Sequence, residues 1–217
     1  MQNSNWRLRR LCAMALLCAM AFATVAIIRI PVVAFLKYEP KDVLLVIGGF
    51  LFGPLAGGLM ATMVALIELV TVSDTGIIGC VMNILSSCLF VCSAAVIYRR
   101  RRNLGGAIVG LICGALAATA GMLLWNYLVT PLYMELPRQA VAEMLLPVFL
   151  PFNLFKTALN SVLALLLYKP ATKALRASRL LPPAEMTVGK PRRTVAVVAL
   201  FILLTLIAVL LVWRGII

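Results

Sequence analysis

The sequence predicts an all-α membrane protein, a six-helix bundle followed by one additional C-terminal transmembrane helix. Three observations carry that expectation. Of the 217 residues, 64% are hydrophobic and only 12% charged, whereas soluble domains run closer to half apolar and a quarter charged. With a mean hydropathy of +1.08, such a chain cannot cover itself with polar surface, so lipid must be its solvent. The apolar residues also fall into runs near the roughly 20 residues that a helix needs to cross the hydrocarbon core. Finally, most of the basic residues behind the net charge of +13 sit in segments between those runs. That distribution marks topology and leaves no soluble nucleic-acid module to explain.

The first run is Leu11–Ile28, preceded by Arg7, Arg9 and Arg10. Ala21-Phe22-Ala23 has the form of a signal-peptide cleavage site, but the run continues past it and its loss would disturb the charge balance, so the helix is expected to remain. The next stretch, Val43–Val72, is too long for one helix and is interrupted at Gly53-Pro54-Leu55-Ala56-Gly57. Proline after glycine is a natural break, which divides the stretch into helices at about 42–53 and 54–72, the first short for a full span. Gly76–Tyr98, Gly105–Val129 and Leu146–Tyr168 complete the cluster.

Charge placement tests the break. Cytoplasmic loops concentrate Lys and Arg. With the break, the N-terminus, Arg99–Arg102 and the segment after the sixth helix share one side and hold three, four and seven of the 20 basic residues. Without it, Arg99–Arg102 would face the opposite side. The chain is therefore expected to be a multi-pass cell-membrane protein with a cytoplasmic N-terminus, organised as a membrane domain at 1–170, a basic linker at 171–193 and a further helix at 194–217.

Several chemistries are excluded. The chain has no histidine, which removes His-based catalysis, haem ligation and most zinc sites. Its six cysteines lie in apolar runs without a CxxC pair and read as small helix residues. No catalytic residue, metal site or cofactor is expected. No GxxxxGK[ST] loop is present, so the chain cannot hydrolyse ATP itself. Nor is there a series of intramembrane carboxylates of the kind that ion-coupled carriers use; Glu68 stands nearly alone.

Polar side chains inside membrane helices must face the protein interior, which makes Glu68, Asn83, Asn126, Asn153, Lys156 and Asn160 candidates. The spacing 153, 156, 160 puts the last three on one helical face, a cation between two amides. Either a polar ligand site or interhelical hydrogen bonding with Lys156 reaching to the surface accounts for them. The loop Ile30–Asp42, with Leu36, Lys37 and Tyr38, lies on the same outer side and either caps a pocket or forms an aromatic belt. Small residues recur every fourth position as Ala15, Ala19 and Ala23, and as Gly106, Gly110 and Gly114, faces that let helix backbones approach closely. The glycine face is expected to pack internally; the alanine face either packs internally or docks a partner.

Phe35-Leu36-Lys37-Tyr38-Glu39-Pro40-Lys41-Asp42 and Gly48-Gly49-Phe50-Leu51-Phe52-Gly53-Pro54-Leu55-Ala56-Gly57 together resemble the riboflavin-specific S components of energy-coupling factor (ECF) vitamin transporters. Trp125-Asn126-Tyr127, Pro131-Leu132-Tyr133 and Pro151-Phe152-Asn153-Leu154-Phe155-Lys156 support it, and the resemblance covers about residues 8–170. It implies a six-helix bundle that binds riboflavin from outside, with no enzymatic activity of its own. The implied partners are a membrane coupling subunit and two ABC-type ATPases. By resemblance, Asn126, Asn153 and Lys156 would bond the flavin or its ribityl chain, and the loop around Leu36–Pro40, with Leu36, Lys37 and Tyr38, would close over it. Ala15, Ala19 and Ala23 would dock on the coupling subunit. Glu68 and Asn83 are assigned to the ligand from position alone. The additional C-terminal helix departs from the family pattern. Two alternatives stay open: an S component for another vitamin or heterocycle, and a non-transport membrane assembly protein.

Overall fold

The computed structural model describes residues 2–33, 36–73 and 75–182, with side chains from Trp6 onward; the additional C-terminal helix expected at 194–217 and most of the linker before it lie outside the described residues. Helix α1 (Gln2–Ile27) buries Ala13, Leu17, Ala21 and Val25. These recur at intervals of four, so they form one stripe, while Leu11 before them and Leu16 and Met20 between them are exposed. An exposed apolar face of this length is a lipid-facing surface.

The expected break is present. Helix α2 (Lys41–Phe52) stops at Gly53, whose φ of 97° suits glycine, and α3 (Pro54–Thr71) begins with proline at its first position. Lys41 through Gly49 are buried without exception, so α2 is a central helix wrapped by its neighbours. At 12 residues it rises about 18 Å, short of the roughly 30 Å hydrocarbon core.

Helices α4 (Gly76–Arg100) and α5 (Leu104–Met134) pack most closely. Gly106, Gly110 and Gly114 line α5 where it meets α4 and are all buried. A Cβ on Gly110 would lie 2.6 Å from the Ala94 carbonyl oxygen, and one on Gly114 2.6 Å from that of Phe90. In lipid, helices associate through such close backbone approach because burial gains little over the acyl chains. Asn103 caps α5 by accepting a bond from the Gly106 N–H at 2.7 Å.

After α5 comes a short helix α6 (Arg138–Met144), a π-helical turn at Leu145–Phe149 and the long α7 (Leu150–Ala177). Pro147 lies in the π turn, where its missing N–H and ring disrupt the regular ladder. The sequence expectation placed one helix at Leu146–Tyr168; the structure extends helical conformation from Arg138 to Ala177. Five helical segments among the described residues are long and apolar enough to span a membrane, with α2 as the short sixth member of the bundle.

The segment after α1, expected as a loop, is an antiparallel hairpin of β1 (Ile30–Val33) and β2 (Leu36–Tyr38), pairing Ile30 with Tyr38 and Pro31 with Lys37. Val32, Leu36 and Tyr38 are buried against Val141, Phe149, Phe152 and Phe155. This second apolar cluster clamps the hairpin over the start of α7, at the bundle end opposite Arg99–Arg102. All six cysteines are free.

Candidate functional site

A cavity opens beneath the hairpin, among the end of α3, the start of α4, the end of α5 and the start of α7. It holds about 1050 Å³ of empty space, its open mouth included, a size suited to a small organic ligand. Met82, Met122, Trp125 and Phe152 give it broad apolar walls, and Asn83, Asn126, Asn153 and Lys156 set polar groups among them.

The amides are oriented from behind. Asn126 Nδ2 donates to the Met122 carbonyl at 2.7 Å and its Oδ1 accepts from Thr130 Oγ1 at 2.9 Å. Asn153 Nδ2 donates to the Phe149 carbonyl at 2.8 Å. The π turn positions this second amide, because Phe149 is its last residue. Each Nδ2 has two protons, so one N–H of each amide is left for an occupant.

Under the hairpin lies a charged network. Lys41 Nζ donates to both Glu68 carboxylate oxygens, at 2.8 and 2.6 Å, and pairs with Glu39 at 3.0 Å. Glu68 also accepts from Asn83 Nδ2 at 3.1 Å. Glu39 meets Arg29 Nε at 3.3 Å, and Arg29 Nη1 donates to the Val72 carbonyl at 2.5 Å. Asp42 accepts from Ser87 Oγ at 2.6 Å and from Asn160 Nδ2 at 3.5 Å, with Lys156 Nζ 3.8 Å away. Three cations, Arg29, Lys41 and Lys156, thus face three carboxylates, Glu39, Asp42 and Glu68, which is how buried charge is tolerated.

Two hairpin groups are tuned by this setting. Burial pushes the Glu39 carboxyl up, but Lys41, Lys156 and Arg29 outweigh it and hold the carboxyl below its ordinary value. Burial first, then the Asp42 charge, raises the Tyr38 hydroxyl well above the ordinary phenol range. Tyr38 therefore stays protonated and donates to Asn160 Oδ1 at 2.8 Å.

Leu36, Lys37, Glu68, Asn83, Asn126, Asn153 and Lys156, seven of the eight sequence candidates for the ligand, line the one cavity. Tyr38 does not line it; its ring packs edge-on against Phe155 and its hydroxyl is taken by Asn160. Lys156 is buried beside Asp42 and does not reach to the surface. Glu68 is not nearly alone, as the sequence suggested: Lys41, Glu39 and Asp42 are buried around it. Sequence reasoning also passed over Arg29, Lys41 and Asp42 as site residues, and held Glu39 only as part of the closing loop. The available signal was that an intramembrane carboxylate needs a cation, and Lys41 opens the preceding apolar run. Ala15, Ala19 and Ala23 are exposed and lie outside the internal packing.

Apolar spans with exposed lipid-facing surfaces, and a cavity with polar groups at one end of the bundle, define a multi-pass membrane protein. The model of the family described as ECF transporter, substrate-specific component, matches residues 9–168, and the chain belongs to that family. Riboflavin transporter RibU of Staphylococcus aureus (strain TCH60) is 28% identical over 178 residues, covering 77% of this chain and 93% of that protein. Riboflavin transporter FmnP of Bacillus subtilis (strain 168) is 27% identical over 143 residues, covering 62% and 75%. A solved structure of the S component of a bacterial ECF transporter matches with a TM-score of 0.65 at 28% identity, covering 81% of this chain and 99% of that one.

Proposed function

We propose that this chain is the riboflavin-binding subunit of a vitamin importer, capturing its ligand in the hairpin-covered cavity. The observation that carries the reading is the cavity wall, where flat apolar side chains alternate with the Asn83, Asn126, Asn153 and Lys156 polar groups. A flavin offers a flat ring system, with carbonyl and nitrogen acceptors on one edge and a hydroxylated chain on the other side. Trp125 and Phe152 suit the ring, and the amides and ammonium suit the acceptors and hydroxyls. Both named relatives are riboflavin transporters, which favours this vitamin over another heterocycle.

In this reading the basic loops face the cytoplasm, the N-terminus with them, and the cavity opens outside. The chain lacks a nucleotide-binding loop, so inward delivery takes its energy from a coupling subunit and two ATPases. The exposed Ala15, Ala19 and Ala23 face of α1 is the docking surface for the coupling subunit, since small residues allow a partner helix to approach closely.

Titration of the detergent-purified chain with riboflavin tests the ligand. Flavin fluorescence should be quenched stoichiometrically, with stacking on Trp125 quenching the tryptophan emission in parallel. A colourless protein that quenches neither signal would refute the assignment, and displacement of riboflavin by an unrelated vitamin at equal concentration would move it to that ligand.

A further inference from the structure

A second cavity opens at the opposite end of the bundle, where α2 turns into α3 beside the end of α4. It holds about 720 Å³ of empty space and is lined by Arg10, Arg99 and Arg102 around the backbone of Gly53, Pro54, Leu55 and Ala56. Among the described residues no carboxylate lines it, in contrast to the balanced charges under the hairpin. Arg10 is fixed in place: its Nη2 donates to the Phe52 carbonyl at 3.0 Å and its guanidinium lies 5.9 Å from the centre of the Phe52 ring. That bond uses one of five N–H donors.

The backbone adds to the same field. Gly53, at φ 97°, turns the chain so that α3 starts at the cavity, and the first bond of that helix runs from the Gly57 N–H to the Gly53 carbonyl. The Leu55 and Ala56 N–H groups therefore precede the ladder and have no intrahelical acceptor. Arg10, Arg99 and Arg102 are exposed, so solvent screens their repulsion, but lining one cavity they offer an oxyanion several charge-assisted N–H donors.

The rim separates two sources of such an anion. Leu55, Leu59 and Val96 are 83%, 63% and 42% exposed on membrane-spanning helices next to the cavity. A soluble phosphate makes no use of them, whereas acyl chains attached to a phosphate would lie along them. We propose that this cavity binds the phosphate of an anionic phospholipid, with Arg10, Arg99 and Arg102 on the headgroup and the Leu55–Leu59 face against its chains. The site is independent of the flavin cavity and does not rest on the ligand reading.

The test uses the full purified chain in detergent, with phosphatidylglycerol, phosphatidylcholine and glycerol 3-phosphate as separate probes, read by native mass spectrometry and thermal unfolding. Phosphatidylglycerol should be retained on the order of 100-fold better than phosphatidylcholine, the product of a roughly fivefold preference from each of three arginines at an anionic surface. Arg99→Gln/Arg102→Gln should cut that preference to the roughly fivefold that Arg10 alone supplies, while leaving helical content and riboflavin titration unchanged. Arg102→Gln alone, in an exposed loop, serves if the double variant does not fold. Leu55→Ser/Leu59→Ser should weaken lipid retention with the arginines intact. Equal retention of the two lipids by the wild type, or a preference undiminished by loss of Arg99 and Arg102, would overturn the proposal. Protection by glycerol 3-phosphate equal to that by the lipid would assign the cavity to a soluble phosphate and overturn the lipid assignment.

Discussion

Lys41 is the cation on which the buried network depends, so Lys41→Met is its most direct perturbation. The side chain is 1% exposed and holds both oxygens of Glu68 and one of Glu39. Methionine keeps the length and apolar stem but leaves Glu68 with the Asn83 amide alone, while Glu39 still has Arg29. Removing one partner of a buried ion pair costs about 3–5 kcal/mol, because the remaining charge stays desolvated. At roughly 2–4 °C per kcal/mol for a chain of this size, melting should fall by ~6–20 °C. The reasoning requires the cost to lie in the orphaned carboxylate. Lys41→Met/Glu68→Gln should therefore recover most of the loss, since neutral replacement of both members of a buried pair is often tolerated. Thermal unfolding of the detergent-solubilised chain, followed by tryptophan emission and by size-exclusion of the heated sample, measures both variants. A single variant that melts with the wild type, or a double variant as unstable as the sum of the two singles, would refute the argument.

Three further outcomes are expected. Lys156→Ala should weaken riboflavin binding roughly 10- to 150-fold, the loss of one hydrogen bond to a charged group, with the melting temperature changed far less than by Lys41→Met; fluorescence titration and thermal unfolding on the same sample check both parts. Because Glu39 has its carboxyl held below the ordinary 4.5, its contribution to hairpin stability is present in full above that value and is lost as pH falls through the lowered folded value. Melting curves between pH 7 and pH 3 should show that acid loss, and Glu39→Gln should flatten it. Ala19→Trp, on the exposed face of α1, should leave riboflavin titration intact but abolish uptake in cells carrying the full transporter, read with radiolabelled vitamin.

What could be seen in the sequence was what is local or cumulative. Gly53-Pro54 announces itself through residue chemistry, and the basic loops on either side confirm the reversal of direction. Asn153 and Lys156 share a face because helical spacing guarantees it. The hairpin was hidden because its strands are four and three residues long and include Pro31, which weakens any strand pattern. The charged network was hidden for a different reason: Lys41 and Glu68 lie on separate helices, and Tyr38 and Asn160 are 122 positions apart, so only the packing of helices joins them. The glycine face was expected to pack internally and does, while the alanine pattern left internal packing and docking open. Ala15, Ala19 and Ala23 sit two positions from the buried stripe of α1, about 200° around the helix, and so face away from the bundle. Gly106, Gly110 and Gly114 coincide with the buried face of α5 and are consumed by α4.

The shortness of α2 has a consequence for where charge can sit. A helix rising about 18 Å through a layer of about 30 Å leaves a gap of about 12 Å, or two turns. The structure fills that depth with the hairpin above and the cavity beside it instead of more helix. The charges of Lys41 and Asp42, at the first turn of α2, are thereby met under the hairpin by Glu39, Glu68, Ser87, Asn160 and Lys156, and they are not carried unpaired into hydrocarbon. A full-length α2 would take the place of the hairpin that covers these charges, so the late start of one helix is what leaves room for their lid.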